Sequence, residues 1–203
     1  MTATKRSLDL VGGAVLLILA SPILAVASVA ILIEDRGSPI YRQRRVGLRG
    51  VEFELLKLRT MVIGAEHQGT GYAVNRGDPR ITGVGRVLRR LSLDELPQLW
   101  NVVRGEMSLV GPRPTLAYQV ERYTPRQRLR LEVKPGITGW AQVNGRAALP
   151  WKERIELDIW YVENRSFRLD LRILLATPRA LFTGTYKGAT GGWRPTESEG
   201  PRG

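Results

Sequence analysis

From Leu10 to Ile33 the chain carries 24 residues without a charge, LVGGAVLLILASPILAVASVAILI. As a straight helix this run is about 36 Å long, and the hydrocarbon core of a bilayer is about 30 Å thick. Lys5 and Arg6 precede it, Glu34, Asp35 and Arg36 close it, and Arg42, Arg44, Arg45 and Arg49 follow. Three readings fit this pattern. A cleaved signal peptide has its basic n-region in Lys5-Arg6 and a cleavage-like Ala25-Val26-Ala27, although six apolar residues continue beyond that site. A single spanning helix puts the more basic C-terminal flank in the cytoplasm. A re-entrant helix enters and leaves by one face, which suits basic residues on both flanks. Pro22 removes one backbone bond and crowds the carbonyl of Ile18, so a kink is expected there. The hydroxyl of Ser21 can satisfy the freed group. The local pattern leaves all three open.

Beyond the apolar run the periodicity shortens. In VEFELLKLRTM, Val51, Phe53 and Leu55 alternate with Glu52 and Glu54, the period of a half-buried strand. With PIYRQRR before it and Gly47 to Gly50 between, residues Pro39 to Met61 read as a β-hairpin. Gly64 to Gly85 is glycine-rich with few large apolar residues and reads as a long loop, the kind that often carries function. Helices are expected over Gly85–Leu91, Leu96–Val103, Leu116–Val133, Pro150–Asn164 and Leu169–Phe182, the last interrupted by Pro178. Leu169–Phe182 suits either an interfacial helix or a core helix. Glu106–Pro114 is a turn-rich connection and Lys134–Arg146 a glycine-rich loop. Residues 188–203 are rich in Gly, Pro and charge and read as a flexible tail.

The length of 203 residues suits one domain of ordinary size. The absence of cysteine excludes disulfides, thiolate metal sites and a Cys nucleophile, and the one histidine, His67, cannot build a His-rich metal site. Lys and Arg number 31 against 19 acids, a net charge of +12. That surplus favours anionic partners: nucleic acid, phosphorylated substrates or anionic lipid. The bases are mostly arginine, whose planar fork fits phosphate bidentately.

The densest candidate for chemistry is Ser92-Leu93-Asp94-Glu95-Leu96-Pro97-Gln98. Structurally it fits a capping box, with Ser92 as N-cap and Glu95 at N3. Pro97 fits that box less well, since it would cost a bond one turn into the helix. Functionally it offers two carboxylates flanked by Arg89 and Arg90, with Arg113 in the stiff Gly-Pro-Arg-Pro that follows. Carboxylates among guanidiniums suggest Mg²⁺ and phosphate: acids hold the metal or attack phosphorus, and arginines neutralise phosphoryl oxygens. No Walker A, dinucleotide G-x-G-x-x-G or G-x-S-x-G pattern is present. Trp100, Trp140, Trp151 and Trp160 suit stacking on bases or a headgroup interface.

Five motifs in order resemble the bacterial sugar transferases, the small monotopic polyprenyl-phosphate phosphoglycosyl transferases. They are Lys5-Arg6 with the Ser21-Pro22 break, Lys57-Leu58-Arg59-Thr60-Met61, Ser92 to Gln98, Met107-Ser108-Leu109-Val110-Gly111-Pro112-Arg113-Pro114, and Lys134-Pro135-Gly136-Ile137-Thr138-Gly139-Trp140-Ala141-Gln142-Val143-Asn144-Gly145-Arg146. With Asp158, Tyr161 and Asp170 the likeness covers about residues 5 to 180.

The resemblance implies a mixed α/β, mostly helical fold. A re-entrant membrane helix (1–36) bends at Ser21 and Pro22, a compact interfacial catalytic domain with a β-hairpin follows (37–187), and a tail ends the chain (188–203). It also implies transfer of sugar-1-phosphate from a UDP-sugar to undecaprenyl phosphate with release of UMP. Asp94 is then the nucleophile and a Mg²⁺ ligand, and Glu95 its partner as ligand, orienter or base. Arg113, Arg89, Lys57 and Arg59 are implied as phosphate or donor contacts, and Gln142, Asn144 and Arg146 as further donor-site residues. Asp158 and Tyr161 share one helix face and suit a structural role. The implied partners are the donor, the polyprenyl phosphate and anionic lipid at the cytoplasmic face of the inner membrane. Nucleic acid is not expected, and a homodimer is compatible with the motifs. Two other classes remain on the residues alone: a non-catalytic basic membrane-anchored protein binding lipid or nucleic acid, and a secreted basic protein released after Ala27.

Overall fold

The computed structural model describes residues 3–69, 74, 77–145 and 149–183. It is mostly helical, with a long apolar N-terminal helix and a small antiparallel sheet. Helix α1 (Ala3–Asp35) is continuous through Pro22. The Ile18 carbonyl left without its partner accepts from Ser21 Oγ at 2.7 Å, so the expected local repair is in place. The inward face of α1 is a stripe of Asp9, Gly13, Ala20, Ala27 and Ile31. Small residues let the helix lie close: a Cβ on Gly13 would stand 3.1 Å from Val102 Cγ1. The outward face is bare hydrocarbon, with Ile18, Val26 and Ile33 each 70% or more exposed. Ala27 and Ile31 are buried with Leu58 and Leu88, so the segment a cleavage after Ala27 would remove is part of the core.

Strands β1 (Ile40–Val46) and β2 (Glu52–Leu58) form the hairpin the alternation predicts, with Tyr41 opposite Lys57 and Arg45 opposite Phe53. Helix α2 (Gly83–Arg90) starts at Thr82, whose hydroxyl accepts from Gly85 N at 2.9 Å. Gly85 is where α2 meets the end of the hairpin; a Cβ there would lie 2.1 Å from the Thr60 carbonyl oxygen. A 3-10 turn, Leu93–Glu95, leads to α3 (Gln98–Arg104). Strand β3 (Ser108–Val110) pairs in parallel with β4 (Gly136–Thr138), an element the sequence does not announce. Gly111 and Gly136 pass so closely that a Cβ on Gly136 would lie 2.1 Å from Gly111 N. Gly136 and Gly139 thus serve strand contact, and a short helix α6 (Trp140–Val143) follows.

The single helix expected over Leu116–Val133 is instead three pieces: α4 (Ala117–Val120), α5 (Pro125–Arg128) and a 3-10 turn, Leu129–Glu132. Pro125 has no N–H to continue α4 and sits at N1 of α5, behind a Thr124–Gln127 capping box. Helix α7 (Trp151–Asn164) fulfils its expectation. Helix α8 (Phe167–Thr183) runs through Pro178. The tail, 188–203, lies outside the described residues.

Both ends of α1 are held by the same polar body. Lys5 Nζ lies 2.5 Å from Asp170 Oδ2 on α8 and donates to the Val110 carbonyl at 3.2 Å. Arg6 donates to the carbonyls of Val102 and Val103 at 2.8 Å each, closing the C-terminal end of α3. Asp9, 1% exposed, accepts from Ser108 Oγ and Leu109 N, both at 2.9 Å. At the other end Glu34 accepts from Gly83 N at 2.7 Å and Val84 N at 3.1 Å, capping α2, and Asp35 lies 3.5 Å from Arg59. Asp9→Ala would leave two buried donors unpaired and should cost about 1–3 kcal/mol of unfolding free energy. Denaturant unfolding in detergent checks this, and Asp9→Asn, which keeps an acceptor, should lose much less.

Candidate active site

Asp94 and Glu95 sit on the 3-10 turn between α2 and α3, in a fold that differs from a capping box. Ser92 takes a left-handed conformation, φ 55° and ψ 23°, and caps nothing with its side chain. The helix starts later, and Pro97 occupies its N-cap, where no backbone bond is lost. This removes the difficulty that Pro97 posed. The two acids are therefore presented by a tight turn and meet different surroundings.

Glu95 is held from two sides. Arg113 donates through both terminal nitrogens, one of them to Oε2 at 3.3 Å and the other more closely to Oε1. Lys57 Nζ, projecting from β2, lies 3.5 Å from Oε1. Asp94 is buried, and among the described residues no hydrogen bond ties its carboxylate. Burial, and then the adjacent Glu95 charge, push the Asp94 carboxyl above the usual carboxylate range, while Lys57, Arg89 and Arg113 pull it back. Burial lowers the Lys57 ammonium, with Glu95 opposing. Glu95 raises the Arg113 guanidinium.

The remaining predicted residues divide. Arg89 acts on Asp94 and is oriented by Thr60 Oγ1, to which its Nε donates at 2.7 Å. Arg113 is set by the β3–β4 pair behind it and by Arg130, which donates to the Arg113 carbonyl at 3.0 Å. Arg59 is turned elsewhere: it donates to the Ser38 carbonyl and pairs with Asp35, so its contacts tie the hairpin to α1. Gln142 is buried on α6, and neither atom of its amide has a partner. Asn144 donates to the Trp140 carbonyl at 2.8 Å, a local helix-end contact. Arg146 lies outside the described residues. Asp158 pairs with Arg130 at 2.5 Å, and Tyr161 donates to Asp170 Oδ1 at 2.6 Å, the structural roles their shared face suggested. Arg45 was not singled out by the sequence reading, yet it neighbours Arg113 and Glu95.

Mg²⁺ commonly uses one or two protein carboxylates and completes its shell with water and substrate phosphates. Among the described residues no group of three or more His, Cys, Asp or Glu could hold a metal alone. The untied Asp94 carboxylate beside Glu95 fits an ion carried in part by a phosphorylated substrate, with no dedicated protein cage. The arrangement can present one carboxylate to a phosphorus atom while several cations face the phosphoryl oxygens.

A family model described as bacterial sugar transferase matches residues 1–184. EpsL of Bacillus subtilis, an uncharacterised sugar transferase, is 47% identical over 176 residues, covering 86% of this chain and 85% of its own. The UDP-glucose:undecaprenyl-phosphate glucose-1-phosphate transferase of Caulobacter vibrioides is 44% identical over 187 residues, 88% of this chain and 70% of that one. The undecaprenyl-phosphate galactose phosphotransferase of Salmonella typhimurium is 39% identical over 191 residues, 87% of this chain and 40% of that longer protein.

The raised Asp94 carboxyl has a consequence for stability. A carboxyl whose folded pKa exceeds its unfolded value adds stability below the unfolded pKa, and that contribution is lost as pH rises through the folded pKa. Burial of Asp94 therefore opposes folding above the unfolded carboxyl pKa. Asp94→Asn should melt higher than wild type at pH 7.5, and the difference should shrink as pH falls into the acid range. Thermal melts across pH check the sign.

Proposed function

We infer that this chain, which belongs to the bacterial sugar transferase family, transfers a sugar-1-phosphate from a UDP-sugar to undecaprenyl phosphate through a covalent intermediate on Asp94. The chain is a phosphoglycosyl transferase. The observation that carries the finer reading is the contrast between the two adjacent acids: Glu95 is held by Arg113 and Lys57, whereas Asp94 is buried with no hydrogen bond among the described residues. A carboxylate that must attack phosphorus needs an oxygen not committed to a protein donor, and burial strips it of competing water.

In the first step an Asp94 oxygen attacks the sugar-bearing phosphorus. The bond from that phosphorus to the bridging oxygen breaks, and UMP leaves with the electron pair. In the second step an oxygen of the polyprenyl phosphate attacks the same phosphorus. The bond to Asp94 breaks, the carboxylate is regenerated, and a lipid-linked diphosphosugar remains. Neither step needs a net proton from the enzyme. Lys57, Arg89 and Arg113 lower the cost of bringing an anionic carboxylate to an anionic phosphorus centre and stabilise charge on the equatorial oxygens. When bound by Asp94 and Glu95, Mg²⁺ supplies charge neutralisation on the donor diphosphate. The product is the first lipid-linked sugar of glycoconjugate assembly.

The two clamps on α1 support a monotopic arrangement at the cytoplasmic face. A helix of 33 residues is about 50 Å long, yet charged residues at both its ends engage one body. Such a helix enters and leaves on the same side, with Ser21 and Pro22 at the bend. This brings a water-borne donor and a headgroup-level phosphate to the same turn. Positive charge adds about 1 kcal/mol per basic residue near anionic lipid.

Release of UMP from a panel of UDP-sugars by the detergent-purified chain, with undecaprenyl phosphate and Mg²⁺, tests the reaction. Asp94→Asn should lower turnover by at least about 10³-fold. EDTA should abolish it and added Mg²⁺ restore it. Acid-quenched wild type should carry label from a sugar-labelled donor, and Asp94→Asn should not; a wild type that turns over without retaining label under any quench would remove the covalent step. The cysteine-free chain allows a clean topology test. Thr4→Cys and Ser38→Cys should both react with an impermeant thiol reagent from the cytoplasmic side alone; labelling of the first from the opposite face would exclude the monotopic reading.

A further inference from the structure

The hairpin has two faces with opposite charge bookkeeping. On the outer face Arg42 lies 3.5 Å from Glu54 and Arg44 lies 3.9 Å from Glu52, both pairs at the surface. Tyr41, Gln43 and Arg45 occupy the other face, as does Lys57 opposite Tyr41, and Lys57 reaches Glu95. Arg45 has no acid opposite it, because its cross-strand neighbour is Phe53. Among the described residues no carboxylate lies within ion-pair distance of Arg45.

Arg45 is nonetheless tightly placed. Gln43 Oε1 accepts from its Nε at 3.0 Å and from one terminal nitrogen at 2.6 Å, and the Pro114 carbonyl accepts from the other at 3.4 Å. The backbone beside it is fixed as well, since Val46 N donates to the Thr115 carbonyl at 2.9 Å. These contacts bring a second guanidinium up to the Pro112-Arg113-Pro114 loop. Burial, then the Arg113 charge, lower Arg45 to about 10, so it remains a cation at neutral pH beside a like charge. Gln43 orients that cation without neutralising it. Three of the five guanidinium N–H groups are used, and two remain for another acceptor. Arg113 forks onto Glu95, whereas Arg45 lies in the field of Glu95 without an ion pair to it.

We propose that Arg45, oriented by Gln43, is a phosphate-binding residue of the active site and takes a non-bridging phosphoryl oxygen of a substrate beside Arg113. The proposal rests on the transferase reading. The phosphate is either that of the nucleoside monophosphate that leaves or that of the polyprenyl acceptor, since both are phosphate monoesters.

The two sources separate kinetically. In a double-displacement reaction kcat/KM for the donor reports the first half-reaction and kcat/KM for the acceptor the second. Arg45→Gln in the full detergent-purified chain should lower one of these by roughly 10- to 100-fold, the range of a hydrogen bond between charged groups. Affinity for UMP, or for undecaprenyl phosphate, should fall with it, and the melting temperature should stay close to wild type. Loss confined to the donor and UMP assigns the leaving phosphate, and loss confined to the acceptor assigns the lipid phosphate. Arg45→Lys should recover part of the loss. Gln43→Glu gives Arg45 a carboxylate of its own and should weaken phosphate binding while leaving stability unchanged or higher, the reverse of what a purely structural Arg45 would do. Values of kcat/KM and affinity within about twofold of wild type in Arg45→Gln would overturn the proposal. So would a loss that follows a lowered melting temperature and is not eased by lysine. A wild type that binds UMP and undecaprenyl phosphate without turnover would sink the transferase reading alone, and the two affinities would then decide the role of Arg45.

Discussion

Arg6 and Glu34, near opposite ends of one apolar helix, each close the end of another helix. Arg6 covers the last carbonyls of α3, and Glu34 covers the first N–H groups of α2. These are the helix ends where backbone groups and the macrodipole most need a partner. The turn carrying Asp94 and Glu95 is the connection between α2 and α3. The long apolar helix is thus a brace across the frame of the site, and the Gly13–Val102 and Ala27–Leu88 packing fills the space beneath it. An anchor joined to its domain only by a linker could be exchanged freely; this one cannot.

Within that frame the charges are distributed with a purpose visible in who is paired. The outer arginines of the hairpin meet glutamates, Arg130 meets Asp158, and Lys5 meets Asp170. At the site the ledger is left open. Lys57, Arg89, Arg113 and Arg45 face two carboxylates. An excess of cations in a partly dry pocket is costly without ligand and becomes favourable when phosphates enter. Three of these cations, Lys57, Arg89 and Arg113, pull the Asp94 carboxyl down against its burial. The protein composition, +12 overall, is therefore less informative than the few positions where the surplus is concentrated.

How much of this was legible depended on whether a local rule operated alone. The alternation of Val51, Phe53 and Leu55 gave the hairpin because one face is buried. The ordered motifs gave the family. The capping box at Ser92 is misleading: residue identities match it, but the Ser92 backbone is left-handed and the helix starts only after Pro97. Leu116–Val133 reads as one basic helix, yet Pro125 starts a new helix and the backbone forms three pieces. Lys5 and Arg6 looked like flanking charges for a membrane segment; their partners lie roughly a hundred residues or more away and leave no local trace. Arg45 stood among five arginines between Arg42 and Arg59, and only the strand register separates it from its exposed neighbours.

The clamps on α1 also impose an order on synthesis. Glu34 meets its partner 49 residues later, Arg6 waits for 96, and Lys5 for 165, until Asp170 is made. At about 5–20 residues per second the Lys5–Asp170 contact stays open for roughly seven to twenty-seven seconds after the apolar segment is complete. For roughly the first half of that interval, until residues 102 to 110 are made, no partner of Lys5, Arg6 or Asp9 exists. On the proposed monotopic reading, the nascent helix keeps its own orientation by its flanking charges and a turn at Ser21-Pro22, and the finished domain then makes permanent a topology that the first forty residues had already chosen.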